Sequence, residues 1–279
     1  MAKDKTDLSE VRKEIDEVDS KILELLMRRA EIVDDVRAAK LATNTVAYRP
    51  GREAQVLRRL ALLHKGNFPL AALIRIWREI MAASVAMQQE FSCAFCDFEA
   101  EGAEALVKDN FGVMTQMSKY ASPDEVIRAV KNDKCSVGLL PKPIKNERRP
   151  WWQHFYFDLE HELRICGSAF SGNNFSSPKA LIIGKVPPEE TGADSTYFVI
   201  EHHRSFEDLE AGKIFGEPVM DCVSVAGPTI GRDSAHFSLL KIKGFYLEDS
   251  RFGEPQLKEL IGLIGCKCIG AAPLGILEK

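Results

Sequence analysis

Six polar side chains fall on helical faces that are otherwise apolar, Arg29, Lys40, Arg52, Glu53, Ser84 and Gln88, and Arg12 joins them as a seventh candidate. Taken singly, each has a bland reading. Arg52 and Glu53 suit a solvated helix surface, and Ser84 and Gln88 suit a satisfied buried hydroxyl and amide. Taken together they leave cations in surplus, because Arg29, Lys40, Arg52 and an Arg12 from a second chain face a single carboxylate, Glu53. Burying unpaired ions costs several kcal/mol each, so the set makes physical sense around a dianionic small molecule.

The element that must position them is the stretch 7–40, which contains no Gly and no Pro. Leu8, Val11, Ile15, Val18, Ile22, Leu25, Ile32, Val36 and Ala39 recur on a heptad schedule, predicting one long helix with a coiled-coil-like seam. Asp7 and Glu10 read as a capping box at its start. Arg29 occupies a seam position. At ~1.5 Å rise per residue, Arg29 and Lys40 stand roughly 16 Å apart, within reach of one small ligand, whereas Arg12 is roughly 25 Å from Arg29. Arg12 therefore reaches that ligand only from a partner chain, in an antiparallel two-fold pairing of this helix. On the helix alone, an Arg29 that snorkels to the surface beside a solvated Arg12 fits equally well.

A chain of 279 residues has room for two domains and a substantial core. Its 45% apolar and 28% charged content excludes disordered and collagen-like classes, and the net charge of -4 argues against nucleic acid as the main partner. The charge is uneven, with residues 1–91 net positive and the remainder net negative, so an anionic substrate belongs to the first segment. No apolar run reaches the ~18 residues of a membrane span, and the first residues lack a signal-peptide core, so the expected location is cytoplasmic and no membrane is expected as a partner. The seven cysteines suit reduced buried thiols; Cys93 with Cys96 and Cys266 with Cys268 match no standard zinc module, and neither metal nor cofactor is expected.

After Lys40 a loop at 41–48 leads to a second helix opened by Pro50, with Val56, Leu57, Leu60 and Leu63 on one face. A third helix is predicted over 69–91, where Leu70, Leu73, Trp77 and Ile80 give way to Ser84 and Gln88 on the inward face. Three motifs, LSEVRKEIDEVDSKILELLMRRAEIVDDVRAAK, YRPGREAQVLRRL and IMAASVAMQQ, carry a family resemblance. Residues 7–91 resemble the all-helical chorismate mutase domain that opens the bacterial bifunctional chorismate mutase/prephenate dehydratase.

That resemblance implies an intertwined helical homodimer with shared active sites, a cofactor-free isomerase, and chorismate as substrate. Arg12, Arg29, Lys40, Arg52, Glu53, Ser84 and Gln88 stand where the family places its substrate-binding residues. Conversion of chorismate to prephenate is pericyclic, so the protein holds a dicarboxylate in a compact geometry and stabilises charge growing on the ether oxygen. The resemblance assigns Arg12, Arg29 and Arg52 to the carboxylates, Lys40 and Gln88 to the ether oxygen, Glu53 to the ring hydroxyl, and Ser84 to orientation. Arg49 departs from members that carry an acidic residue there.

From Phe91 onward short apolar runs alternate with helical ones, which predicts an α/β layer. Strands are expected at SCAFCDF, GVMTQM, KCSVGLLP, ELRICGS, KALIIGK, STYFVIE, PVMDCVSVAG, AHFSLLKIKGFYLE and CKCIGAAPLGIL, with helices at AEALVKDN, PDEVIRAVKN, SFEDLEAGKIF and PQLKELIGLIG. The stretch 141–154 is expected as an exposed connection whose Trp151 and Trp152 form an interface or plug a small satellite core. The fold class is therefore multidomain α and α/β: a helical domain at 1–91, an α/β region at 92–194, and a ferredoxin-like βαββαβ unit at 195–279.

This second part resembles, more loosely, a shortened prephenate dehydratase lobe followed by a ligand-sensing unit. Thr196 in STYF stands where that family keeps its catalytic threonine, but Tyr197 replaces the adjacent arginine, and Lys142, Pro143 and Ile144 follow SVGLLP. The expectation is a chorismate mutase with a structural or regulatory C-terminal region and a possible aromatic amino acid effector. The alternatives are a working mutase/dehydratase and a silent dimer that kept only the helical fold.

Overall fold

The computed structural model describes the chain except residues 1–7, 44–45, 99–101, 145–146, 148–149, 159, 161, 173, 204–218, 226–235, 248–260 and 277–279; at 39–43, 224 and 225 it describes the backbone alone. By internal contacts the chain separates into two compact units, Met1–Ala47 with Ala83–Glu90, and Tyr48–Ala82 with Phe91–Lys279.

The first unit is built on α1 (Leu8–Thr43). Its 36 residues make a rod about 54 Å long, as expected of a sequence without helix breakers. Asp7, the expected cap, lies outside the described residues. Among the described residues much of the heptad seam is open: Leu8, Ile15, Val18, Ile22 and Leu25 are all at least half exposed. A helix of this composition obtains little stability from propensity alone and depends on burying such a stripe.

Two further helices follow, α2 (Pro50–Leu63) and α3 (Leu70–Gln88). Pro50 sits in the first turn of α2, where its missing N–H costs nothing. Leu57 of α2 and Ile74 and Met81 of α3 are buried with Phe170, Phe175 and Ile276 in one apolar cluster of the second unit. Residues from Ala83 to the end of α3 belong to the first unit.

The rest of the second unit is a nine-stranded sheet in the order β2-β1-β3-β5-β4-β9-β6-β8-β7. The strands are β1 (Ser92–Cys96), β2 (Gln116–Tyr120), β3 (Val137–Pro141), β4 (Arg164–Ala169), β5 (Ala180–Gly184), β6 (Asp194–His202), β7 (Val219–Val225), β8 (His236–Lys243) and β9 (Leu263–Pro273). Between β1 and β2 runs α4 (Ala103–Phe111), and between β2 and β3 runs α5 (Pro123–Lys131), so β1 pairs in parallel with both neighbours as crossovers require. Ser122 caps α5 by accepting from the Glu125 N–H. The second strand starts later than expected, because Gly112 (φ +86°) ends α4 and a turn intervenes.

β6, β7, β8 and β9 pair antiparallel in the order β9-β6-β8-β7, the strand order of a ferredoxin-like unit. The helices expected at SFEDLEAGKIF and across most of PQLKELIGLIG lie outside the described residues, and β9 takes the end of the second stretch. The two halves of the sheet join where β4 meets β9 in parallel at one registered pair, Ile165 and Gly270. Gly270 has φ +134°, and a Cβ there would lie 2.1 Å from the Ile165 carbonyl oxygen, so only glycine fits this seam.

The tryptophan pair corrects the expected exposed connection. Trp151 and Trp152 are fully buried in the main core with Ile165, Leu181, Val199 and Leu239, just before a short helix, α6 (Gln153–Phe157). Trp151 Nε1 donates to the Pro141 carbonyl at 3.0 Å. The opposite face of β6 carries Phe198 and Ile200 into a second cluster with Leu240 and Ile242. β6 is buried on both faces along its whole length, its apolar centre Phe198–Ile200 flanked by buried polar residues that include Asp194, Thr196, Glu201 and His202.

Candidate functional site

The first unit brings three of the seven expected residues together. Arg29, one seam position after Leu25 on α1, donates from Nη1 to Ser84 Oγ on the last part of α3. Partial burial lowers the pKa of its guanidinium. Gln88, one turn beyond Ser84, donates from Nε2 to the Ser84 carbonyl at 2.7 Å. An amide nitrogen has two hydrogens, so one donor is left for a ligand. The Gln88 Oε1 is buried and has no hydrogen-bond partner among the described residues. Next to it, Gln89 Oε1 accepts from the Ala47 N–H at 3.0 Å and holds the chain leaving α1.

The other four are placed differently. Arg12 is exposed in the first turns of α1. Lys40 lies on α1, but its side chain is outside the description. Arg52 is exposed on α2, and Glu53 beside it faces a small cavity of the second unit. Arg49, the departure noted in the sequence, pairs with Glu189 through Nη2 at 2.5 Å.

The Glu53 cavity holds about 50 Å³ and is lined by Tyr48, Arg78, Asn110 and Ser168 among others. Burial pushes the Glu53 carboxyl up to about 7, against the opposing pull of Arg78. Burial likewise raises the Tyr48 phenol, and Glu53 adds to that shift. Asn110 is fully satisfied: it donates to the Leu106 and Phe170 carbonyls and accepts from the Phe170 N–H.

Two cations central to this unit were missed in the sequence. Arg58 of α2 donates to Thr191 Oγ1 and the Ala193 carbonyl at 2.7 Å each, and to the Leu274 carbonyl at 2.8 Å. It ties α2 to the entry of β6 and the exit of β9. Arg78 lies one turn after the buried Ile74 and three residues before the buried Met81. That spacing is the same cation-in-an-apolar-stripe signal that singled out Arg29.

In the C-terminal half, Thr196 is fully buried. Its Oγ1 donates to the Gly244 carbonyl at 2.8 Å and accepts from the Tyr246 N–H at 2.9 Å. Tyr197 packs into the core cluster of the tryptophans. Among the described residues no group of three His, Cys, Asp or Glu could hold a metal, and no helix is long and apolar enough to cross a membrane.

The helical segment with its half-buried Arg29 is also the part of the chain that a family model matches. Residues 11–89 match the family model described as chorismate mutase type II, so the N-terminal segment carries a chorismate mutase domain of that type. The bifunctional chorismate mutase/prephenate dehydratase of Pseudomonas aeruginosa is 33% identical over 170 residues, covering 59% of this chain and 46% of that protein. The chain thus spans about half the length of this relative, and the alignment is longer than the helical segment, so it continues into the α/β region. Two solved structures align at low similarity. One is a quorum quenching acylase (TM-score 0.47, 16% identity, 67% of this chain and 97% of that one). The other is the prephenate dehydratase of Staphylococcus aureus (TM-score 0.46, 11% identity, 65% of this chain and 100% of that one).

Proposed function

We propose that this protein is a chorismate mutase, an isomerase that rearranges chorismate to prephenate for aromatic amino acid biosynthesis. One observation carries the reading: Arg29, Ser84 and Gln88 converge within a segment matching the chorismate mutase type II family. Arg29 binds a substrate carboxylate, with Arg52 and a partner's Arg12 as further cationic contacts. Lys40 and Gln88 donate to the ether oxygen as charge develops there, and Glu53 accepts from the ring hydroxyl. Ser84 orients Arg29. None of these roles involves a nucleophile or a cofactor.

The exposed seam of α1 supports a homodimer. Among the described residues Ile15, Val18, Ile22 and Leu25 are at least half exposed, and a second copy of the same helix would supply a complementary stripe. Antiparallel pairing carries Arg12 of one chain toward Arg29 of the other. The expected location is cytoplasmic.

Under the same proposal 1–91 is the mutase domain, 92–194 a dehydratase-like lobe, and 195–279 a ferredoxin-like unit that is structural or answers an aromatic amino acid effector. A second reading, a bifunctional mutase/dehydratase, is favoured by the alignment running past the helical segment. Against it, the Thr196 hydroxyl is committed to two backbone bonds and Tyr197 is held in the core. Incubating the purified chain with chorismate and following both prephenate and phenylpyruvate separates the two: the mutase reading expects prephenate to accumulate, and phenylpyruvate formation establishes the bifunctional one. No loss of chorismate above the buffer rate leaves only the silent dimer.

A further inference from the structure

A cavity of about 330 Å³ opens between α3 and α4 in the second unit, at the lower end of the range for small-molecule sites. One wall is apolar, formed by Pro69, Ile74 and Phe175; the other carries Arg75, Arg78 and Asp109. Both carboxylate oxygens of Asp109 are engaged, Oδ1 by Arg75 and Oδ2 by the Gly172 N–H at 3.3 Å. Arg78 receives only the Asp109 backbone: its Nη1 donates to that carbonyl oxygen at 2.8 Å. A guanidinium has five N–H donors. Among the described residues Arg78 makes no other hydrogen bond and no ion pair. Glu53 shares a second, smaller cavity with Arg78, has its carboxyl pushed up to about 7 by burial, and makes no ion pair with Arg78 among the described residues. Arg78 feels Glu53 and Asp109 without a hydrogen bond to either carboxylate, so its remaining donors line the cavity unused.

We propose that this cavity binds a small organic carboxylate, its carboxylate on Arg78 and Arg75 and its apolar body against Ile74, Pro69 and Phe175. The planar fork of Arg78 suits a two-oxygen acceptor, and Arg75, exposed at the rim, closes over it. The site uses none of Arg29, Ser84 and Gln88, so it stands or falls separately from the mutase reading.

Titration calorimetry on the full chain tests it, with 3-phenylpropionate as probe. Benzyl alcohol supplies a ring without the anion, and inorganic phosphate an anion without the ring. The expected result is saturable binding of 3-phenylpropionate, at least tenfold weaker in Arg78→Gln and in Arg75→Ala, and unchanged in Arg29→Ala. Arg75 is largely exposed, so its variant keeps the fold even if Arg78→Gln does not. Both control compounds are expected to bind at least tenfold more weakly than the probe. No saturable binding at millimolar probe overturns the proposal, as does binding that only Arg29→Ala removes, which places the probe in the first unit. Phosphate or benzyl alcohol bound as tightly as the probe overturns the stated ligand class.

Discussion

Glu53 and Arg78 face one cavity of about 50 Å³, yet no Glu53 carboxylate oxygen comes within 4.0 Å of the Arg78 guanidinium. A carboxylate and a guanidinium this enclosed would ordinarily close a salt bridge, and each instead carries its own desolvation cost. The Glu53 carboxyl moves up to about 7 and the Arg78 guanidinium moves down, both because burial disfavours charge.

The Glu53 shift has a definite sign in stability. Below pH 4.5 both the folded and the unfolded chain hold the proton, and stability is fully present. As pH rises from 4.5 through about 7 the unfolded chain releases it first, and stability falls by about 3 kcal/mol in all. Glu53→Gln removes this dependence. Urea unfolding is expected to find that variant more stable than the native chain at pH 8 and about equal to it at pH 4.5; an equal difference at both values contradicts the assignment. Because Glu53 also belongs to the proposed substrate set, the same variant is expected to lose chorismate turnover.

Arg29 and Gln88 make a second test. Losing a preorganised donor aimed at transition-state charge costs about 3 kcal/mol, so Gln88→Ala and Lys40→Ala are each expected to lower kcat 100-fold or more. Arg29→Lys keeps the charge but not the fork, and is expected to raise KM for chorismate. Circular dichroism should show folding intact in all three. Unchanged kinetics in Gln88→Ala would remove that residue from the site.

The sheet seam and the Arg58 clamp predict large losses of stability. Gly270→Ala must place a methyl group against the Ile165 carbonyl at a backbone angle unsuited to L residues, and is expected to cost more than about 3 kcal/mol in denaturant unfolding. Arg58→Met removes three hydrogen bonds to Thr191, Ala193 and Leu274 and is expected to cost about 2 to 4 kcal/mol. A change below about 1 kcal/mol in either variant would show that the contact contributes little.

For the α1 seam, the expected solution state is a dimer by light scattering. Ile22→Lys with Leu25→Lys is expected to yield monomers with no mutase activity, since each site would lose its partner's Arg12. An active monomer contradicts the shared site.

Much of this was legible in the sequence, and the reasons differ by region. A heptad of branched residues without Gly or Pro leaves a helix as the only economical structure, so α1 follows from residues 7–40 alone. The four strands of the ferredoxin-like order were legible because apolar runs and two helical-looking stretches succeed one another in the order βαββαβ. The fusion of both halves into one sheet was not, because a single pair, Ile165 with Gly270, carries it and no local pattern marks it. Trp151 and Trp152 misled because a neighbourhood of Pro and charge looks solvated, whereas their burial is set by strands distant in sequence. Arg29 was found because it interrupts a long repeat; Arg58 and Arg78 interrupt shorter ones and passed as ordinary surface cations.

The most direct test of the central claim is the loss of chorismate absorbance with purified protein, compared with buffer and with the Arg29→Ala variant. The account predicts disappearance many orders of magnitude faster than in buffer, with prephenate as product and most of the rate lost in Arg29→Ala. Chorismate that disappears no faster with the native chain than without it contradicts the account.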